Sequence, residues 1–271
     1  MTKAIRRLEE SLGGRLFERS KTQVQLTSLG QTMLPNFRQI FDNAMQAREQ
    51  ARRFVSGNAE QVRVGVMCTI EFPQLLPGFN QSQSGRGEVS LSFHEGNLES
   101  LTESLDQGDV DLGVMCSPWD IPKRFAVTPL YREDYVVAFG DDHRFNGRQA
   151  VALAELNRER YCERIHCEFT VYIERLLTAR GVNLEVVQQS AREDWIQAMV
   201  RANFGISFMP QSIAEAAGLA YVHAADVTIV REVKLLCQAE RPITAAQQSV
   251  IDSLKGYRWS QGKLFGGAEV N

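Results

Sequence analysis

The chain has 271 residues, 44% hydrophobic and 23% charged, with a formal net charge of −3. That composition fits a folded polypeptide long enough for more than one core, and no apolar run approaches the ~20 residues a membrane-crossing helix needs. The five cysteines (Cys68, Cys116, Cys162, Cys167, Cys237) are odd in number and lack metal-ligand spacing, which argues against a disulfide framework or a zinc site.

Charge is unevenly distributed. Residues 1–53 carry ten Lys/Arg against five Asp/Glu, leaving 20 against 28 for the remainder. A basic head on an acidic body suits a phosphate-binding module joined to a domain with other work. The N-terminus is basic and amphipathic, without the apolar core of a signal peptide, so the expected location is the cytoplasm.

In chain order, Ala4, Ile5, Leu8 and Leu12 share one helical face, and Gly13-Gly14 stops that helix. Leu16-Phe17 and Val24-x-Leu26 flank a polar turn at 19–23, as two short strands with a basic tip. Helix, extended pair and new helix outline a winged helix-turn-helix from its second helix onward. The residues expected at DNA are Thr2, Lys3, Arg6, Arg7, Arg15, Arg19 and Lys21.

Thr27 is a fitting N-cap for a helix over 28–56. Met33, Phe37, Ile40, Ala44, Ala47, Ala51 and Phe54 step by alternating fours and threes, and Leu34 and Phe41 widen the stripe. So long an apolar seam has little local chain to cover it, which predicts pairing with a second subunit, as a dimer or tetramer.

From Val62 the pattern becomes short apolar strands alternating with helices. Strands are expected at 62–66, 89–93 and 110–115, with helices at 72–81 and 98–107 between them. This predicts a parallel sheet with helical crossovers. A second unit of the same kind is expected from strands at 135–139, 184–187 and 205–209 and helices at 169–180 and 195–202. A strand at 233–236 and a helix at 244–254 return to the first unit. The expected fold is α/β, with a partial winged head (1–27), a dimerisation helix (28–57) and a two-lobed domain (61–271). Its lobe I takes in about 61–116 and 234–258, and its lobe II about 127–222.

Ligands of such sheets bind beyond the carboxyl ends of strands. Those ends are Cys68-Thr69-Ile70, Glu95-Gly96-Asn97, Ser117, His166-Cys167-Glu168 and Asn203-Phe204-Gly205. The expected ligand-binding residues are Cys68, Thr69, Ile70, Glu95, Gly96, Asn97, Ser117, His166, Cys167 and Phe204. Thr69 leads, because a hydroxyl at a helix entrance can donate to a carboxylate, and Asn97 is first a cap. Glu95 and Glu168 weigh against a simple carboxylate effector, because like charges repel in a closed cleft. The histidines are scattered, and no HExxH, GxSxG or phosphate loop occurs, so neither catalysis nor a cofactor is expected.

Ile5-Arg6-Arg7-Leu8-Glu9-Glu10, Leu12-Gly13, Gly14-Arg15-Leu16-Phe17-Glu18-Arg19 and Leu26-Thr27-x-x-Gly30 resemble the N-terminal signature of the LysR-type transcriptional regulators. The resemblance extends over nearly the whole chain. It implies an operator-binding regulator whose periplasmic-binding-protein-like (type 2) domain senses a small molecule between two lobes. Family members carry two further helices before this point, so the resemblance implies a truncated head, with an effector-binding dimer that no longer binds DNA as the alternative. It also sets His166-Cys167 near the place where the peroxide-sensing branch keeps a reactive cysteine. That branch has a second cysteine further along, where this chain has Leu176.

Overall fold

The computed structural model describes residues 3–19, 24–56, 60–82, 89–165 and 167–259. It forms two compact units, Met1–Asn58 and Ala59–Asn271. In the first, α1 (Lys3–Leu12) ends at Gly13, which takes the left-handed φ of +69° that a side chain disfavours. The Glu9 carboxylate then accepts from the backbone N–H of Leu16 (2.7 Å) and Phe17 (3.3 Å), fixing the turn after the helix. β1 (Phe17–Arg19) and β2 (Val24–Leu26) pair antiparallel, with Phe17 opposite Leu26.

Thr27 caps α2 (Ser28–Ser56): its hydroxyl accepts from Gly30 N–H at 3.0 Å and donates to the Arg15 carbonyl. A Cβ on Gly30 would lie 2.2 Å from the Leu16 carbonyl oxygen, so only glycine lets the helix approach the buried Leu16 this closely. The helix continues through Pro35, as its length predicts. Along its seam Met33, Leu34 and Phe37 are half-buried, while Ile40 (64% exposed), Phe41 (63%), Ala44 and Ala47 face outward in the single chain. The side chains of Ala51 and Phe54 lie outside the described residues.

The second unit opens with β3 (Glu60–Met67), α3 (Phe72–Ser82), β4 (Val89–Gly96), α4 (Leu98–Gln107) and β5 (Leu112–Met115). The three strands are parallel in the order β4-β3-β5, and Val62, Val64 and Val66 fill the core. Asn97 and Ser100 form a capping box on α4, which ends at Gly108 with a left-handed φ of 80°. Then follow β6 (Phe125–Phe139), β7 (Ala150–Val151), β8 (Arg160–Arg164), α5 (Thr170–Thr178), β9 (Glu185–Ser190) and α6 (Glu193–Arg201). β10 (Ser207–Pro210), α7 (Gln211–Ala216), β11 (Ala220–Ala224), β12 (Val230–Gln238) and α8 (Ala245–Gly256) complete it.

Two expectations need correction. β6 starts at Phe125 rather than Tyr135, because Pro129 and the run Arg132-Glu133-Asp134 hide its strand character. The later strands are also not parallel throughout, and most of them join β3, β4 and β5 in one eight-stranded sheet. β6 pairs with β12 along residues 125–134, then with β10 and β11 along 135–139, and all three pairings are antiparallel. Only β8–β9, β7–β11 and the Tyr161–Ile206 bridge run parallel in this part of the chain. The physical reason is that β6 arrives from the first lobe as one continuous strand, so it meets the returning β10 head-on. β7, β8, α7 and β11 were not anticipated, and neither was the short 3-10 turn at Leu153–Leu156. α8 packs back on α3, where Ser253 donates to the Gly78 carbonyl at 2.6 Å.

Candidate effector site

Four segments converge where the two lobes of the second unit meet. From the first lobe come the turn after β3 and the end of β5, held in place by the Cys68 N–H donating to the Gly96 carbonyl at 2.9 Å. From the second come Arg164 at the end of β8 and the Cys167-Glu168-Phe169 turn before α5. The connecting strands add Glu133 and Tyr135 on β6 and Arg231 on β12.

Arg231 lies at the centre with a fully buried side chain. Its Nε and Nη2 donate to Glu133 Oε1 at 2.9 and 2.8 Å, and Nη2 also reaches the Thr69 carbonyl at 2.8 Å. Nη1 donates to Thr69 Oγ1 (3.2 Å) and Glu168 Oε1 (3.3 Å). Glu133 in turn accepts from the Ser212 N–H at 3.1 Å, which ties in α7.

Glu168 is the inter-lobe counterpart. Its Oε1 accepts from Thr69 Oγ1 (3.1 Å), Cys116 Sγ (3.2 Å), Tyr135 OH (3.3 Å) and Arg231. Arg164, also buried, pairs with Glu193 and donates to the Tyr135 hydroxyl (2.9 Å) and the Cys167 sulfur (3.1 Å). Two guanidiniums therefore face three carboxylates in a nearly dry site.

Burial alone would raise the Glu168 carboxyl, but Arg231 and then Arg164 outweigh it and hold it below the ordinary carboxylate value. Burial pushes the Cys116 thiol and the Tyr135 phenol well up, which keeps both protonated as donors to Glu168. The Cys68 thiol rises to about 11 through burial and then the nearby Glu168 charge, which leaves it unreactive.

Beside this cluster is a cavity of about 430 Å³ lined by Asn97, Leu98, Ser117, Trp119, Ile121 and Cys167, among others. Its volume and mixed lining suit a small organic molecule. Arg175 stacks over Trp119 at 5.2 Å. Cys167 is shared: it lines the cavity, and its sulfur touches Arg164 and, at 3.4 Å, Tyr135.

The structure brings Thr69 and Cys167 into the cluster and sets Asn97, Ser117 and Cys167 along the cavity. Cys68 flanks the cluster half-buried, and Ile70 is core. Gly96 ends β4, where a Cβ would press on Ser100 Oγ at 2.6 Å. Ser117 Oγ also accepts from the Trp119 N–H at 3.0 Å. Glu95 is exposed, and Phe204 is 43% exposed and does not line the cavity. His166 lies outside the described residues. Thr69 does donate to a carboxylate, but that carboxylate is the chain's own Glu168. Sequence reasoning missed Glu133, Tyr135, Arg164, Glu193 and Arg231; the signal was charge embedded in otherwise apolar strands, as in Val230-Arg231-Glu232-Val233.

In the head unit, Lys3, Arg6 and Arg7 are exposed along α1, and Arg15 is exposed in the turn after it. Arg19 ends β1 with its side chain outside the described residues, as are Thr2 and Lys21. Cys162 is fully buried with Ile196 and Met209, whereas Cys167 packs on the separate core that holds Tyr135 and Phe169. Among the described residues no group of side chains could hold a metal, and no helix is long and apolar enough to cross a membrane.

Comparison with known proteins agrees with this geometry. Residues 56–258 match the LysR substrate binding domain, and residues 1–31 match the bacterial regulatory helix-turn-helix protein of the lysR family. The RuBisCO operon transcriptional regulator of Allochromatium vinosum is 30% identical over 208 residues, covering 75% of this chain and 67% of that protein. The HTH-type transcriptional regulator BudR of Raoultella terrigena is 25% identical over 222 residues, 79% of this chain and 75% of its own length. Among solved structures, the LysR family transcriptional regulator CbnR superposes with a TM-score of 0.66 at 16% identity, covering 93% of this chain and 86% of CbnR. A reduced form of OxyR from N. meningitidis gives 0.59 at 20% identity, over 74% of this chain and 97% of that one. The protein belongs to the LysR family of transcriptional regulators, with a helix-turn-helix head and a two-lobed effector-binding domain, and its role is regulatory rather than enzymatic.

Proposed function

We propose that this regulator acts in the cytoplasm, pairs through the 28–56 helix, and places two basic heads on half-sites of operator DNA. Lys3, Arg6, Arg7 and Arg15, with Thr2, Arg19 and Lys21, are the residues offered to DNA. The effector is a small organic molecule held in the cavity beside Asn97, Ser117, Trp119 and Cys167. The observation that carries this reading is the adjacency of that cavity to a buried polar cluster contributed by both lobes.

A ligand that enters there bears on Cys167 and, through it, on Tyr135 and Arg164. It therefore biases how the lobes close, and closure alters how the subunits space their heads. Gel retardation with DNA upstream of the protein's own gene tests the proposal. Specific retardation that weakens steeply with salt is expected, since each phosphate contact releases a counterion. Absence of retardation at low salt by a dimeric preparation would favour an effector-binding dimer without DNA recognition.

A further inference from the structure

We propose that Glu168 is a tethered internal ligand of the clamp, occupying the position of an effector carboxylate, and that a small carboxylate effector takes that position by exchange. The proposal rests on the reading of the two lobes as an effector clamp and adds how that site is regulated.

Four donors from different parts of the fold meet at one oxygen, Glu168 Oε1. They are Thr69 from the turn after β3, Cys116 from the end of β5, Tyr135 from β6 and Arg231 from β12. Such convergence is how a site recognises an anionic oxygen, and here the anion belongs to the chain itself. Glu168 comes from the second lobe, whereas Thr69 and Cys116 belong to the first, so the carboxylate ties the lobes together without any effector.

Charge limits what can replace it. With Glu168 in place, Arg164 and Arg231 face Glu133, Glu168 and Glu193, two positive charges against three negative ones. A ligand carboxylate that takes this position as the Glu168 side chain swings out of the cluster keeps that two-to-three ratio and satisfies the same donors. An amine presents its own donors to donors, and a neutral amide carries no charge for Arg231 to pair with. Like-charge repulsion from Glu168 is therefore not a barrier to a carboxylate effector, because the incoming group replaces Glu168 rather than sitting beside it.

The route is short. Cys167, the neighbour of Glu168 in sequence, lines the 430 Å³ cavity and touches Tyr135 and Arg164. Phe169, on the other side, is 3% exposed and stacks on Tyr135 at 4.6 Å between ring centroids. The backbone is thus pinned on one side of Glu168, so exchange proceeds by rotation of the Glu168 side chain.

The test titrates the full chain with acetate, acetamide and ethylamine and follows tryptophan fluorescence and thermal stability. It compares wild type with Glu168→Ala, which removes the internal ligand and leaves a space of about the size of acetate. The expected result is saturable acetate binding to Glu168→Ala at least ten-fold tighter than to wild type, with no such gain for acetamide or ethylamine. Glu168→Gln, which keeps the shape and loses the charge, guards against failure to fold. It should bind acetate more tightly than wild type, by less than Glu168→Ala does. Equal acetate affinity in wild type and either folded variant overturns the tethered ligand, and so does a gain shared by all three probes. The clamp reading is judged separately by Trp119→Ala, which should alter effector-dependent DNA retardation whatever occupies the Glu168 position.

Discussion

Replacing Arg231 with methionine removes the cation at the centre of the inter-lobe cluster while keeping most of its volume. The guanidinium makes five hydrogen bonds of 3.3 Å or less: two to Glu133, two to Thr69 and one to Glu168. Its loss leaves two carboxylates buried, together with a backbone carbonyl that has lost its donor. Removing one partner of a buried ion pair costs about 3–5 kcal/mol, and one cation serving two anions puts this case at the upper end. For a unit of this size each kcal/mol lowers Tm by about 2–4 °C, so Arg231→Met should fall by roughly 10–20 °C. Calorimetry or circular dichroism of the full chain reads this directly. Combining Arg231→Met with Glu133→Gln and Glu168→Gln should recover a large part of the loss, because no unpaired charge then remains buried. A drop under about 1 kcal/mol for the single variant, or no recovery in the triple, would refute the assignment of Arg231 as the charge on which the cluster depends.

Three further variants probe the head unit, the Glu168 carboxyl and the 28–56 seam. Gly30→Ala would place a Cβ against the Leu16 carbonyl, so the head unit should lose about 1–3 kcal/mol and DNA affinity with it, with the second unit's unfolding unchanged. Because Glu168 is held below the ordinary carboxylate value, the stability it contributes is fully present above that value. It is lost as pH falls through the lowered native one, so urea unfolding of Glu168→Gln should show a weaker acid dependence than wild type below about pH 5. Ile40→Asp with Phe41→Asp sets charge on the most exposed part of the 28–56 seam and should shift the chain to monomer in sedimentation, while unaltered oligomer mass would remove that seam from the interface.

Periodicity and punctuation made the frame legible in the sequence. The 28–56 helix, its Thr27 cap and the β3-α3-β4-α4-β5 unit all follow from apolar spacing and from glycines and caps at the ends. The two strand-and-helix units, with a strand and helix returning to the first, made the two-lobed plan legible, and family resemblance supplied its role as an effector domain. The cluster at the lobe junction escaped because its members violate the pattern that finds strands. Glu133 and Arg231 are charged residues buried inside β6 and β12, and their pairing across about a hundred residues leaves no local trace. The polarity of the later strands escaped for a related reason. A strand's period of two residues reveals that it is extended but not which way its neighbour runs. Thr69 was singled out for donating to a carboxylate, and it does so, but only the structure identifies the acceptor as Glu168.

The central claim is that the state of the buried cluster sets how the head engages DNA. The most direct measurement is a footprint on the DNA upstream of the gene, comparing wild type with Thr69→Val at equal dimer concentration and salt. Thr69→Val removes one hydroxyl that donates to Glu168 and accepts from Arg231, and it alters nothing in the head unit. The account predicts that the half-site contacts persist while the extent of protection, or the hypersensitive cleavage between half-sites, changes. An identical footprint from a folded Thr69→Val dimer would contradict it.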